Sequence, residues 1–383
     1  MASLLRSARI RSWLYQGLLL VLVFGLGAWL ISNTLGHLEA RNIQTGFGFL
    51  SREAGFEIAE AHLDYEPTQS YARAFAVGIV NTLVVAALGI VIATVLGTLI
   101  GIARLSDNWL LARLAGGYVE LLRNVPLLLQ LFVWYGVFTE LLPPVREAIE
   151  LGGLGVLSQR GLRLVWPAPH VAWTAAIWAL ALALLLAWAW RARARAVQRA
   201  TGRQWPVGGP VLALVLGLPI AAWALWGAPT TLDRPELAGF DFEGGRLVSP
   251  EFAALLIGLS TYTAAFIAEV VRAGILAVDR GQGEAAMALG LSPGQRLRLV
   301  TLPQAMRVIL PPMTSQYLNL AKNSSLAVAI GYPDLVAVAN TTMNQTGQAI
   351  EAIAILMVVY LTLSLAISLL MNLYNRRVRL VER

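Results

Sequence analysis

The chain has 383 residues, 57% of them hydrophobic and only 13% charged, whereas a soluble domain carries about 25% charged residues. That excludes an ordinary soluble enzyme, a disordered chain and a nucleic-acid-binding module. The net charge of +7 arises from 29 basic and 22 acidic residues, and in so apolar a chain such an excess marks the cytoplasmic loops of a membrane protein.

A spanning helix needs about 20 mostly apolar residues, so uncharged stretches locate the elements. The first, residues 12–38, follows Arg6, Arg9 and Arg11. Its core, Leu14–Ile31, is long for a secretory signal and no A-x-A site follows, so it reads as a retained anchor helix. An acid-rich segment, Glu39–Glu66, leads to the second uncharged stretch, 74–103, and a third span is expected over Val125–Leu142. Pro143-Pro144, Gly152-Gly153 and Trp166-Pro167 then break the chain. Stretches 164–190 and 204–232 predict a helical hairpin around an acid-free loop holding Arg191, Arg193, Arg195, Arg199 and Arg203. The hairpin carries Trp173, Trp178, Trp188, Trp190, Trp223 and Trp226, and tryptophans at span ends suit a lipid-facing element. Phe252–Leu276 is the sixth span, with Glu269 and Arg272 inside it. Val308–Ile330 is the seventh, with Lys322 inside, and 352–375 is the eighth.

Basic loops stay in the cytoplasm. Both termini (Arg6, Arg9 and Arg11; Arg376, Arg377, Arg379 and Arg383) and the 191–203 loop are therefore expected inside, with Glu39–Glu66 and Asp233–Glu251 outside. Arg146, Arg160 and Arg163 fit this pattern less well. The fold class is an all-α polytopic membrane protein of about eight helices, with 144–249 inserted between the third and sixth spans. The chain has no cysteine, and His37, His62 and His170 lie far apart, so no disulfide, metal site or thiol nucleophile is expected.

The polar interval 279–307 separates two spans and is expected in the cytoplasm. Gln282–Leu289 predicts a helix stopped by Gly290 in a left-handed conformation. Ser292-Pro293-Gly294-Gln295 supplies an N-cap serine, a proline at the first position and a glutamine at the third, the signature of a new helix. That helix is expected to run to about Thr301, with Leu302-Pro303 ending it and launching the next. Ala285, Met287 and Ala288 in one helix, and Leu297, Leu299 and Val300 in the other, need a surface to bury against. An alanine face beside Glu284 suits a protein groove better than lipid headgroups.

Glu284-Ala285-Ala286, Gly290, Val300 and Leu302-Pro303 reproduce the spacing of the EAA loop of ABC importer permeases, which the segment resembles. Arg123-Asn124-Val125-Pro126-Leu127-Leu128-Leu129-Gln130 resembles the R-G-T-P-L-L-V-Q element of the polar amino acid permeases. Ala268–Ile275 (AEVVRAGI) resembles their A-E-x-x-R-G-G-I, and Lys322–Leu326 (KNSSL) their K-N-T-S-L. Asn124 and Ala273 stand where glycine is usual, Ser324 for threonine and Val300 for isoleucine. The likeness covers a five-span core, about 73–143 and 250–376. The long form resembles the permease subunits of general L-amino-acid importers. It implies a type I ABC importer permease in the bacterial inner membrane. The implied division is 1–72 as anchor and periplasmic segment, 73–143 and 250–383 as core, and 144–249 as inserted hairpin. A periplasmic binding protein would deliver a polar L-amino acid, a second, paralogous permease would complete the pathway, and a dimer of ATP-binding subunits would dock on Glu284, Ala285, Ala286, Gly290, Leu302 and Pro303. ATP and Mg would reside on those subunits. No P-loop is present here and Lys322 is the only lysine, so this chain is expected to bind no cofactor and to be no enzyme.

Charges within spans are costly, about 2.5–3.5 kcal/mol each on insertion scales. Glu269 and Arg272 lie three apart on one helix face and can pair. Lys322 has no acid nearby in sequence, and the polar run Lys322, Asn323, Ser324 suggests the pathway or a subunit interface. Arg123 and Gln130 complete the core polar set. The alternative class is an ion-coupled secondary transporter with Glu269 as relay, which would call for midplane acids and repeats.

Overall fold

Lipid offers no partner for a backbone N–H or C=O, so an uncharged stretch crossing it must be helical. The computed structural model describes residues 8–40 and 45–378; Arg6, Arg379, Arg383 and residues 41–44 lie outside them. In chain order the helices are α1 (Ala8–Ala40), α2 (Tyr71–Ala103), α3 (Trp109–Asn124), α4 (Leu127–Gly136), α5 (Val171–Thr201), α6 (Gly208–Leu225), α7 (Pro250–Leu276), α8 (Arg280–Ala288), α9 (Pro293–Arg296), α10 (Leu302–Asn323), α11 (Leu335–Thr346) and α12 (Ala349–Val378). Among the described residues six helices are long and apolar enough to span, and two bent pairs raise the number to eight if each is one span.

In the first pair the predicted third span, Val125–Leu142, is present as helix over Leu127–Leu141. A helix not expected from the sequence, α3, precedes it and meets it at 105°. Pro126 forces the break. Val125 before it is extended at φ −95°, ψ 128°, as a residue preceding proline must be. The second pair bends by 53° between Pro293–Ile330 and α11.

The chain divides into two compact units, residues 1–135 with 254–383, and residues 136–253. In the first, α2 is the central strut. Glycines spaced along it admit its neighbours at close range. A methyl group on Gly78 would stand 3.0 Å from the Leu335 backbone of α11, and one on Gly89 would stand 3.2 Å from Leu320 of α10. On Gly97 it would stand 2.7 Å from Ile267 and on Gly101 2.7 Å from the Ala268 carbonyl, both of α7. Without a strong hydrophobic force between helices in lipid, such close packing is what holds spans together. Residues 45–70 fold over the start of α2: Phe49 is fully buried beside Tyr71, and Asn81 donates to the carbonyls of Glu60 and Pro333, both at 2.8 Å.

The second unit holds the α5–α6 hairpin and, unlike the expectation for this stretch, short strands. β1 (Ile149–Glu150), β2 (Gly155–Ser158), β3 (Gly161–Leu164), β4 (Trp166–Pro167), β5 (Leu232–Asp233), β6 (Glu236–Ala238), β7 (Asp241–Glu243) and β8 (Arg246–Val248) form an antiparallel β1-β2-β3-β8 sheet and the pairs β4-β5 and β6-β7. The polar segments on either side of the hairpin thus pair with each other, Leu162 opposite Val248 and Trp166 opposite Asp233.

Candidate functional site

The loop between α7 and α10 is built by local capping. Asp279 accepts from Gly281 N at the start of α8. At its end Gly290 N donates to Met287 O at 2.9 Å and Leu291 N to Ala286 O at 3.1 Å. This paired return bonding satisfies the orphan carbonyls of the last turn and requires a left-handed residue; Gly290 supplies it at φ +76°. Ser292 then caps α9 in a reciprocal capping box with Gln295. The predicted glycine corner is therefore present, with Glu284, Ala285, Met287 and Leu289 exposed and Ala286 buried. Leu297 and Leu299 are exposed on the other arm. Glu284 and Met287 border a groove of about 300 Å³ flanked by Arg280 and Arg296.

The expected break at Leu302-Pro303 is a correction. The backbone stays helical from Leu297 to Thr301 as a π turn, and Leu302 N reaches back to Leu297 O. Pro303 lies in the first turn of α10, where its missing N–H is tolerated; the widened turn absorbs the change of register that the sequence suggested as a stop. Leu302 is 43% exposed and continues the apolar surface of the loop.

Glu269 and Arg272 do pair, Arg272 Nη2 donating to Glu269 Oε1 at 2.5 Å. A third member went unpredicted: Arg104, at the C-cap of α2, also reaches Glu269. Nothing local in the sequence signals it, since Arg104 is far from Glu269 along the chain. The cluster lies just past Gly101, where α2 packs closely on α7. Gly274 seats Ile309 of α10 in the same way, a methyl there falling 2.3 Å from its side chain. The AEVVRAGI element thus fixes α7 against α2 and α10 before the loop begins.

Arg123 lies over the Phe266 ring at 5.1 Å, and Tyr118 OH donates to Thr261 O at 2.8 Å; both join α3 to α7. Gln130 is buried, and its Nε2 donates to Leu122 O and Val125 O, each at 2.9 Å. Residue 126, being proline, has no N–H for Leu122 O, so the Gln130 amide substitutes for the missing donor. Gln130→Leu should leave both carbonyls unpaired and cost about 1–3 kcal/mol, read as a lower melting temperature of the purified subunit. Gln130→Glu, which accepts but does not donate when ionised, should do no better.

Lys322 is exposed in the last turn of α10, among the described residues without an ion pair. After it the helix tightens to 3-10 over Ser324–Ile330. Ser324 is buried and its hydroxyl donates to Ala321 O at 2.8 Å; Ser325 does the same to Lys322 O at 2.7 Å. Asn323 is half-buried. The structure thus groups Glu269 with Arg272 and Arg104, whereas the consecutive Lys322, Asn323 and Ser324 are exposed, half-buried and buried in turn, with no side-chain bond joining them. Arg123 and Gln130 belong to the α3–α4 bend.

The model for "binding-protein-dependent transport system inner membrane component" matches residues 209–380. The putative amino-acid ABC transporter permease YhdX of Escherichia coli K12 is 51% identical over 98% of this chain and 95% of its own length. The general L-amino acid transport system permease AapQ of Rhizobium johnstonii is 47% identical over 98% and 94%. The glutamate/glutamine/aspartate/asparagine transport system permease BztB of Rhodobacter capsulatus is 43% identical over 100% and 97%.

Proposed function

The chain belongs to the family of binding-protein-dependent transport system inner membrane components, among the amino-acid ABC transporter permeases, and from that premise we propose how its residues divide the work of import. It is a multi-pass membrane permease subunit for amino acids. The substrate class we propose is polar L-amino acids, delivered by a periplasmic binding protein and passed along a pathway shared with a second, paralogous permease. ATP hydrolysis belongs to a separate pair of ATP-binding subunits that hold ATP and Mg, and this chain holds no cofactor. Those subunits dock on Glu284, Ala285, Ala286 and the Gly290 corner, with Leu302 and Pro303 at the root of α10. The observation that carries this reading is the corner itself: a fully capped turn in an exposed loop, offering small and apolar side chains that no described residue covers. The anchor-and-periplasmic segment 1–72, the core 73–143 with 250–383 and the inserted 144–249 are the divisions we assign.

An ion-coupled mechanism is not favoured. Its one candidate relay, Glu269, has its carboxylate occupied by two arginines. Reconstitution of the chain with its ATP-binding subunits, second permease and binding protein tests the point. Uptake should require ATP and be indifferent to dissipation of ion gradients; gradient-driven uptake without ATP would sink the assignment.

Both termini and the 191–203 loop are assigned to the cytoplasm and residues 39–66 to the periplasm. Cysteines at Ser51 and Thr201 have no native thiol to compete with them. In intact cells an impermeant thiol reagent should label position 51 and spare 201, and the reverse pattern would invert the topology.

Lys322, with Asn323 and Ser324 beside it, is the cation we assign to the pathway, where it meets the substrate carboxylate. Lys322→Met should lower uptake about tenfold or more, the scale of one lost charge-assisted hydrogen bond, with subunit abundance unchanged. Lys322→Arg should keep part of it if charge alone matters. Loss of assembly with the second permease would make Lys322 an interface residue instead.

A further inference from the structure

The α5–α6 hairpin carries two tryptophan pairs that mark depth. Trp173 lies against Trp223 with ring centroids 6.4 Å apart, and Trp190 against Trp205 at 5.6 Å. Each pair is tied by an indole N–H: Trp173 donates to Ala168 O at 3.2 Å and Trp190 to Pro206 O at 3.1 Å. At helical rise, Trp173 and Trp190 are about 25 Å apart along α5, close to the roughly 30 Å of a hydrocarbon core. Paired rings at that separation fit the two headgroup levels.

α5 does not stop at the second pair. It has 31 residues and ends at Thr201, so about 10 residues project past Trp190. That extension bears Arg191, Arg193, Arg195 and Arg199, with Arg203 just beyond the left-handed cap Gly202. Arg191, Arg195 and Arg199 are one turn apart on a single flank, beside the line of buried Ala183, Ala187 and Ala194. All five arginines are exposed. No Asp or Glu occurs anywhere in 164–232. Among the described residues none of the five makes an ion pair, and Arg195 Nε donates only to the Arg191 carbonyl, at 3.2 Å. Five like charges that begin at headgroup depth beside Trp190 and run on past it repel one another, and the long arginine side chains can reach back to an anionic partner at that depth.

We propose that this extension of α5 is a binding site for anionic phospholipid, whose phosphate is held by Arg191, Arg195 and Arg199 beneath the Trp190–Trp205 pair. Guanidinium groups suit a phosphate because they donate in a planar fork. Basic side chains next to a span are attracted to anionic leaflets. The site needs only that the hairpin cross the bilayer and stands apart from the transport reading.

The full-length chain, purified in mild detergent, is incubated with phosphatidylglycerol and phosphatidylethanolamine, and bound lipid is counted by native mass spectrometry. The wild type should prefer phosphatidylglycerol, and high salt during incubation should weaken that preference. Arg191→Gln, Arg195→Gln and Arg199→Gln combined should reduce it about tenfold or more, while the three corresponding lysine substitutions retain most of it. An equal charge removed elsewhere, by Arg280→Gln, Arg296→Gln and Arg298→Gln, should leave it as in the wild type. A wild type with no preference overturns the proposal, as does an undiminished preference in the α5 glutamine triple or an equal loss in the control. Should the α5 triple keep its lipid but lose an ATP-binding subunit on purification, the surface is a protein interface and the lipid site is wrong. If the glutamine triple is not recovered, the salt response of the wild type and the lysine triple decide.

Discussion

Gly290→Val is expected to abolish uptake while the protein is inserted at normal abundance. Gly290 sits at φ +76°, and no atom lies within 4 Å of where a side chain would begin. The cost is therefore backbone strain alone. A non-glycine residue in the left-handed region costs about 1–2 kcal/mol, more when β-branched. The chain can escape that strain by abandoning the turn, which releases the bonds from Gly290 N and Leu291 N and swings α9 away from α8. The core spans, packed elsewhere, have no reason to respond. Since 1.4 kcal/mol is a factor of ten, uptake should fall at least about tenfold, with ATPase no longer stimulated by the loaded binding protein. Gly290→Asn should be milder, because asparagine tolerates this conformation. Normal uptake by the valine variant at normal abundance would remove the basis for the docking assignment.

The second large effect is expected at Gly97, for the opposite reason. A methyl there would stand 2.7 Å from Ile267 Cβ and Cγ2 and 2.8 Å from the Ala264 carbonyl. A backbone oxygen cannot step aside as a flexible side chain does, so α2 and α7 must separate. Overpacking of this kind costs about 1–3 kcal/mol for Gly97→Ala and more for valine. Separation would also pull Arg104 from Glu269 about two turns farther along α2. The purified subunit should melt at lower temperature in the order wild type, alanine, valine. Gly116 and Gly117 of α3 have nothing within 4 Å, and alanine there should be neutral or stabilising by up to about 1 kcal/mol in the isolated subunit. Equal melting of the Gly97→Val and Gly116→Ala proteins would show that close packing of α2 on α7 does not hold this fold.

The spans were legible because length and absence of charge are one-dimensional signals, and the 280–296 corner because caps are local. Gly290, Ser292 and Gln295 each find their partners within a few residues. What sequence could not give depends on partners far along the chain. Arg104 is an unremarkable residue at the end of a span until the fold brings it to Glu269. Gln130 reads as a polar residue in an apolar run, and only the missing N–H of Pro126 explains where its amide points. Leu302-Pro303 carries a break signal, yet a π turn accommodates it without ending the helix. The strands flanking the hairpin are two to four residues long, too short for alternation to stand out, and two of their pairings, β3 with β8 and β4 with β5, reach across the whole 171–225 hairpin. Of the polar residues grouped by motif, the pairing of Glu269 with Arg272 followed from spacing, whereas the separate stations of Gln130 and Lys322 did not.

The most direct test of the central claim is recovery of the tagged chain from membranes in mild detergent, asking which subunit accompanies it. The ATP-binding subunit should co-purify with the wild type in a fixed ratio and be lost from Gly290→Val at equal recovery of the tagged chain. A wild-type chain that purifies without any ATP-binding subunit, yet catalyses amino-acid uptake when reconstituted alone, would contradict the account.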